Sequence, residues 1–333
     1  MRINLFNTSF NSVLTVLALA FLCKVLPPLV SWAFLDASWL TPSPEHEGAC
    51  WAFIVNKFRV LMVGLYPGEQ LWRPMAVAVI MGILSVVTVA RKLSTRLLIL
   101  LWYTLPVGLF FIINGGFGLP KVEQSLWGGL MLSMGLAVIG ILLSLPFGIL
   151  LALGRRSRLA VVRTLCTGII ECVRGVPLIT ILFMASVMLP IFLPQGVNIN
   201  NLLRVQIGMI LFSSAYIAEV VRGGLQAIPV GQFEAAGSLG LKPWQTTVFV
   251  VLPQALRHVV PSLIGRCVAL FKDTSLVIIV GLLDFLGMVK ASSQDPKWLG
   301  YDAEAYVFCA FVYWIICFSM SRYGQSIERR NQW

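Results

Sequence analysis

Apolar stretches of about 20 residues recur along the whole chain, and each is long enough to cross a bilayer as a helix. Inside lipid the backbone has no water to bind, so a segment of this length must satisfy its own hydrogen bonds. The chain has 333 residues, of which 58% are hydrophobic and 12% are charged, too few charges for a water-soluble fold. The sequence therefore predicts an all-α integral membrane protein with about eight transmembrane helices. The predicted spans are 12–33, 75–90, 97–113, 127–153, 175–193, 205–221, 259–283 and 303–321.

The basic residues are distributed over the short segments between these spans. The net charge of +11 therefore does not form the clustered basic surface that binds nucleic acid, and we expect no nucleic-acid partner. Alternate segments are rich in lysine and arginine, which the positive-inside rule assigns to the cytoplasm. Both termini are predicted to be cytoplasmic, with membrane lipid surrounding a multi-pass protein.

Patterns typical of metal sites and enzymes are missing from the sequence. The seven cysteines include no C-x-x-C pair, and the two histidines, His46 and His258, are far apart in the chain. The sequence contains no H-E-x-x-H, no G-x-S-x-G and no G-x-x-x-x-G-K-[ST] phosphate loop. We therefore expect no catalytic residue, no metal and no cofactor in this chain.

A turn-rich break at 114–120, with the sequence N-G-G-F-G-L-P, divides the predicted spans into two groups. Residues 1–120 are predicted to form an N-terminal extension of three spans, with an extracytoplasmic loop at 34–74. The loop is either an ordered cap or a contact surface for a soluble partner, and its composition fits both. Residues 121–325 are predicted to form the membrane core, and residues 326–333 a cytoplasmic tail.

The segment 222–258 is much longer than the connections that usually join packed helices. It carries residues typical of helix ends: Pro229 suits a first helical turn, and Gly240 suits a left-handed helix end. A second short helix is expected to open at Pro243, and another to begin at Pro253. The segment is therefore predicted to form a helix, a sharp turn and a second helix on the cytoplasmic side.

Part of this segment resembles the EAA motif of permease subunits of bacterial ABC importers. The motif comprises Glu234-Ala235-Ala236, three residues, Gly240, nine residues and Val250-x-Leu252-Pro253, with valine at 250 where isoleucine is usual. Two further segments, 171–178 (ECVRGVPL) and 272–276 (KDTSL), are similar to signatures of the polar amino-acid uptake subfamily. With its leading spans, the whole chain resembles a longer permease subunit of general L-amino-acid importers.

The resemblance implies a C-terminal five-helix ABC importer permease core in the bacterial inner membrane. The chain would form half of the translocation pathway of an ATP-driven amino-acid importer. The implied partners are a homologous permease subunit, separate ABC ATPase subunits and a periplasmic amino-acid-binding protein. The implied ATPase-coupling loop consists of Glu234, Ala235, Ala236, Gly240, Leu252 and Pro253.

Charged residues inside a predicted span mark a candidate substrate pathway. Lys272 and Asp273 lie in the apolar stretch 259–283, where a central charge costs about 2.5–3.5 kcal/mol. Lys272 suits the carboxylate of an amino acid and Asp273 its ammonium group, while Thr274 and Ser275 offer hydrogen bonds. The alternative is that one or both of these charges pair with other spans or with the companion permease.

Two further pairs of opposite charges have a helical spacing. Glu171 and Arg174 are three residues apart, as are Glu219 and Arg222, which brings each pair to one helix face. We expect local ion pairs at both places. A contribution of Glu171 or Arg174 to the pathway is the alternative.

The alternative function is a secondary transporter or a channel subunit for small polar solutes. A secondary transporter predicts inverted repeats with broken helices, and no convincing symmetry relates the two halves of this sequence. It also leaves the long segment 222–258 without a role. The permease of an ATP-driven importer accounts for both observations.

Overall fold

The computed structural model describes residues 6–39, 48–116, 118–194, 196–197 and 199–331. In these ranges the regular structure is helical, and β-structure is limited to isolated bridges, which confirms the all-α prediction. The helices are α1 (Ser9–Val30), α2 (Ala52–Val63), α3 (Trp72–Ala90), α4 (Thr95–Asn114), α5 (Gly129–Arg155), α6 (Ala160–Arg174), α7 (Leu178–Phe183), α8 (Leu189–Phe192), α9 (Asn201–Gln226), α10 (Val230–Ser238), α11 (Pro243–Gln245), α12 (Leu252–Asp273), α13 (Phe285–Ser293) and α14 (Asp302–Asn331).

Several of these helices are long and apolar enough to cross a membrane. Among the described residues these six are Ser9–Leu35, Gly68–Ala90, Thr95–Asn114, Gly129–Arg155, Asn201–Gln226 and Asp302–Arg329. A seventh candidate is a broken one, because Ala160–Arg174 and Leu178–Phe192 meet at a bend of 106°. The bend falls just before Pro177, whose ring disfavours helical geometry in the residue that precedes it.

The predicted span 259–283 has a different form in the structure. Helix α12 begins earlier and ends at Asp273, and a 3-10 helix, Thr274–Val280, continues the chain to Gly281. Helix α12 carries Arg266, Lys272 and Asp273, so it is less apolar than the six spans. The predicted number of about eight spans is compatible with this arrangement if α12 also crosses the membrane.

The chain forms two compact units, of which the first comprises residues 1–59 and 290–308. Within this unit the backbone amide of Cys50 donates a hydrogen bond of 2.9 Å to Glu304, and the rings of Phe53 and Trp298 lie 5.6 Å apart. Lys57 forms an ion pair of 2.5 Å with Asp295. Residues 50–57 of the predicted loop 34–74 are therefore ordered by packing within this unit, whereas its residues 40–47 lie outside the described residues.

The second unit comprises residues 60–289 and 309–333, and its core is built by α5, α9 and α12. Two clusters of buried side chains fill this core. One lies around α7 and contains Leu132, Leu136, Leu178, Leu182, Val205, Met209, Phe212, Leu270 and Val277. The other contains Ala152, Ile170, Ile217, Ala218, Val221, Leu225, Ile228, Val251 and Ala255. Because Ile228 and Val251 flank α10, the second cluster anchors the long segment between α9 and α12.

Candidate coupling loop and charged pathway

Helix α10 ends in a Schellman motif. Gly240 has φ +75°, the left-handed conformation that glycine adopts without a side-chain clash. The amide of Gly240 donates to the carbonyl of Gly237 at 2.9 Å, and the amide of Leu241 donates to that of Ala236 at 3.2 Å. The prediction that Gly240 ends this helix in the left-handed region is confirmed.

The underside of α10 is packed and its outer side is exposed. Ala236 is only 3% exposed, and Phe233 packs against the second core cluster. On the outer side Glu234 and Ala235 are exposed. Leu239, 81% exposed, leads into the turn. The helix is thus held from below and presents a surface of charged and apolar residues.

The next helical segment extends this exposed surface. Helix α11 begins at Pro243, and the amide of Lys242 before it donates to the side chain of Gln245 at 2.8 Å. Trp244 and Phe249 are both more than half exposed, and their rings lie 6.0 Å apart. Such large apolar side chains on a loop outside the core are typical of a contact surface.

Pro253 lies in the first turn of α12, which begins at Leu252, so the prediction that a helix begins here is confirmed. The chain is helical without a break from Pro243 to Asp273, and its residues Thr246–Val251 form a π-helical turn. Proline has no N–H to donate to the preceding turn, and a widened turn there accommodates this loss. Leu252 is partly buried and Pro253 exposed, and the side chain of Gln254 donates to Gln232 of α10 at 3.0 Å.

A network of ion pairs joins the ends of α5, α6 and α9. Arg155 of α5 lies 2.8 Å from Glu171 and 3.3 Å from Glu219, and Arg174 lies 3.2 Å from Glu219. Glu219 also binds Arg222, which confirms the predicted i,i+3 pair on α9. Glu171 and Arg174 do form ion pairs, but in the described structure each pairs with another helix and not with its predicted partner. Tertiary packing thus replaces the local pair.

Replacing Glu219 by glutamine is expected to destabilise the protein by about 1–2 kcal/mol, because three arginines lose their shared carboxylate in a partly buried place. Glu171→Gln is the matched control, since the Glu171 side chain is 53% exposed and makes one ion pair. The thermal midpoint of the detergent-purified protein measures both changes. Equal midpoints for the two variants would contradict a central role of Glu219.

The four residues predicted to line the substrate pathway do not share one environment. Asp273 is half-buried, whereas Lys272 is exposed. Thr274 is fully buried, and its hydroxyl donates to the carbonyl of Phe271 at 2.8 Å. The hydroxyl of Ser275 donates to the carbonyl of Lys272, also at 2.8 Å.

Comparison with known proteins assigns the chain to a family. Residues 144–333 match the family described as binding-protein-dependent transport system inner membrane component. The chain belongs to this family. It is therefore a membrane-embedded transport subunit, as its resemblance to ABC importer permeases implied.

Similar proteins extend the likeness beyond the matched segment. The permease is 49% identical to the inner membrane amino-acid ABC transporter permease protein YhdY of Escherichia coli K12, over 99% of this chain and 91% of that protein. It is 37% identical to the glutamate/glutamine/aspartate/asparagine transport system permease protein BztC of Rhodobacter capsulatus, over 99% and 92%. A crystal structure of an amino acid ABC transporter with histidines covers 61% of this chain and 92% of its own, with 27% identity and a TM-score of 0.54.

Two groups of residues in the permease were missed by the sequence analysis. Arg266 lies inside the predicted span 259–283, and the criterion that singled out Lys272 applies to it equally. In the structure its guanidinium carbon lies 4.3 Å from the ring centroid of Tyr216, and that of Arg174 lies 5.7 Å from the same ring. Asp284, fully buried before α13, is preceded and followed by apolar residues, so only its position before a helix indicated a role.

Proposed function

We propose that this permease forms half of the translocation pathway of an amino-acid importer. The family consists of transport subunits, and ATP hydrolysis takes place on a separate chain. The names of YhdY and BztC, both similar over nearly the whole chain, support amino acids as the transported class. A homologous permease, ABC ATPase subunits and a periplasmic amino-acid-binding protein complete the proposed complex, with both termini of this chain in the cytoplasm.

The exposed surface around Gly240 is the proposed contact with the ATPase. Glu234 and Ala235 of α10 and Leu239 just after it are exposed, while Ala236 is buried, so a docked ATPase would push a firmly seated helix. Leu252 and Pro253 belong to the next helical segment, which is tied to α10 by the contact between Gln254 and Gln232. The coupling loop would thus transmit movement in two directions, to α9 and to α12.

A single helix connects this loop to the proposed substrate pathway. The segment from Pro243 to Asp273 is continuous and, at 1.5 Å per residue, about 45 Å long. At its far end lies the half-buried Asp273, whose carboxylate would bind an ammonium group, with Lys272 and Ser275 beside it in sequence and Thr274 buried within the turn. A tilt imposed at Pro243 would therefore change the access to these residues.

Transport by the reconstituted complex tests the proposal. The permease, its companion permease, the ATPase and the binding protein are placed in proteoliposomes, and uptake of radiolabelled L-amino acids is measured. We expect uptake only with ATP on the ATPase side and binding protein on the other. Uptake by the permease without ATP would support the secondary transporter or channel instead.

Replacement of Gly240 by valine is expected to reduce this uptake severalfold and to weaken co-purification with the ATPase. A β-branched residue in the left-handed region costs about 1–2 kcal/mol, so the turn after α10 would rearrange. An added Cβ meets no neighbour within 4 Å at Gly240 or at Gly168 of α6, and Gly168→Val has no left-handed φ to disturb. Gly168→Val is therefore the control. Equal uptake by both variants would contradict the coupling role.

A further inference from the structure

We infer that Arg266 and Tyr216 form the subsite that receives the carboxylate of the transported amino acid, an inference that rests on the proposed function. Arg266 lies on α12 and Tyr216 on the facing helix α9. The guanidinium carbon of Arg266 is 4.3 Å from the centroid of the Tyr216 ring, within the range of a cation–π contact. Tyr216 is the positioning residue, because its ring fixes where the guanidinium points.

Arg266 is a cation without a close anionic partner. Among the described residues no carboxylate forms an ion pair with it, and its Nε is buried without a hydrogen-bond partner. A charge at membrane depth is costly unless it is paired, and such residues are functional candidates by default. The Arg266 guanidinium group is therefore available to bind an anion.

The neighbouring charges increase this capacity. The guanidinium carbon of Arg174 lies 5.7 Å from the same ring, so two cations flank Tyr216. Arg174 is paired with Glu219, whereas Arg266 forms no ion pair with a carboxylate of the described residues. An anion bound at Arg266 would relieve the repulsion between the two guanidinium groups.

The chemistry of the site fits the carboxylate of a zwitterion. Arg266 and Asp273 are seven residues apart, about two helical turns, and so share one face of α12. A guanidinium group binds a carboxylate through two parallel hydrogen bonds. Asp273 lies about 10 Å further along the helix axis, so its charge favours the ammonium group of the zwitterion at long range and without a direct contact. Lys272, which the sequence favoured for the carboxylate, is exposed.

Binding to the purified complex of both permeases and the ATPase, without the periplasmic protein, tests this inference. The probe is whichever of radiolabelled L-glutamine, L-glutamate and L-arginine the wild-type complex takes up fastest, and its α-amide is the competitor. Arg266→Gln is expected to weaken binding at least about tenfold, the loss of a charged hydrogen-bonded pair. It should also abolish the preference for the free carboxylate over the amide. Arg163→Gln, at an exposed position of α6, is the control and should change neither.

The outcomes separate this inference from the proposed function. If the Arg266→Gln complex transports and binds with unchanged affinity and preference, the subsite is wrong and the importer stands. If the wild-type complex takes up none of the L-amino acids with ATP, the proposed function is wrong. If the complex with Arg266→Gln does not assemble, the same binding measurement is made with Arg266→Lys. This variant keeps the positive charge but loses the forked pair of donors that binds a carboxylate. An Arg266→Lys complex with wild-type affinity and preference would also overturn the subsite.

Discussion

Replacing Asp284 by alanine is expected to lower the stability of the permease by about 3 kcal/mol or more, since each buried donor left unpaired costs about 1–3 kcal/mol. The Asp284 side chain accepts hydrogen bonds from the amides of Leu286 at 3.2 Å and Gly287 at 3.0 Å, at the start of α13. It also accepts from the hydroxyls of Ser133 at 3.4 Å and Tyr313 at 3.3 Å. One carboxylate thus joins α13 to α5 and α14.

The matched control for Asp284 is Asp295, which also binds the amide of a residue at the start of a short helix. Asp295 accepts from the amide of Lys297 at 3.0 Å and forms the ion pair with Lys57, but its side chain is 30% exposed, and an ion pair in contact with solvent contributes only about 0–1 kcal/mol. Water therefore replaces its lost contacts, and Asp295→Ala should shift the thermal midpoint much less. Asp284→Asn keeps one acceptor oxygen. Its thermal midpoint should therefore lie between those of Asp284→Ala and Asp295→Ala. Equal midpoints for Asp284→Ala and wild-type protein, measured by size exclusion after heating, would contradict this assignment.

Gly148→Ala is expected to destabilise the permease by about 1–3 kcal/mol, the usual cost of overpacking a tight contact. A Cβ at Gly148 of α5 would lie 2.5 Å from Cγ2 and 2.7 Å from Cβ of Ile217 in α9, and 2.9 Å from the carbonyl of Ser214. Rotation of the Ile217 side chain does not move its own Cβ or the carbonyl. The two helices would have to separate.

Gly135 in the same helix provides the control for Gly148. An added Cβ at Gly135 meets no atom within 4 Å, and the residue is exposed. Gly135→Ala should therefore keep or slightly raise the thermal midpoint, because alanine favours the helix more than glycine does. Similar losses for both variants would mean that the packing of α5 against α9 is not what limits stability.

The sequence predicted those features that depend on local pattern. Long apolar runs indicated the spans, and the left-handed turn at Gly240 followed from the position of a glycine after a helical stretch. The start of a helix at Pro253 followed from the missing N–H of proline, whereas the π-helical turn that joins α11 to α12 without a break was not predicted. A widened turn has no clear sequence signal.

Features that depend on contacts between helices were not predictable. Glu171 and Arg174 have the spacing of a local pair, but Arg155 and Glu219 on other helices come closer. Likewise, the apolar pattern of 259–283 gave no indication that Thr274 is buried while Lys272 is exposed, or that Tyr216 lies over Arg266. Each of these depends on how α9, α12 and α14 pack together.

The π-helical turn Thr246–Val251 also sets the rotational phase between the two ends of the long helix. A turn of this kind contains one residue more than an α-helical turn. A regular α-helix with the same number of residues would rotate everything on the N-terminal side of this turn by about 100° about the axis. Trp244 would then face a different direction from the one it has now relative to Asp273. One additional residue in the π-helical turn thus determines the direction in which the exposed Trp244 points relative to Asp273.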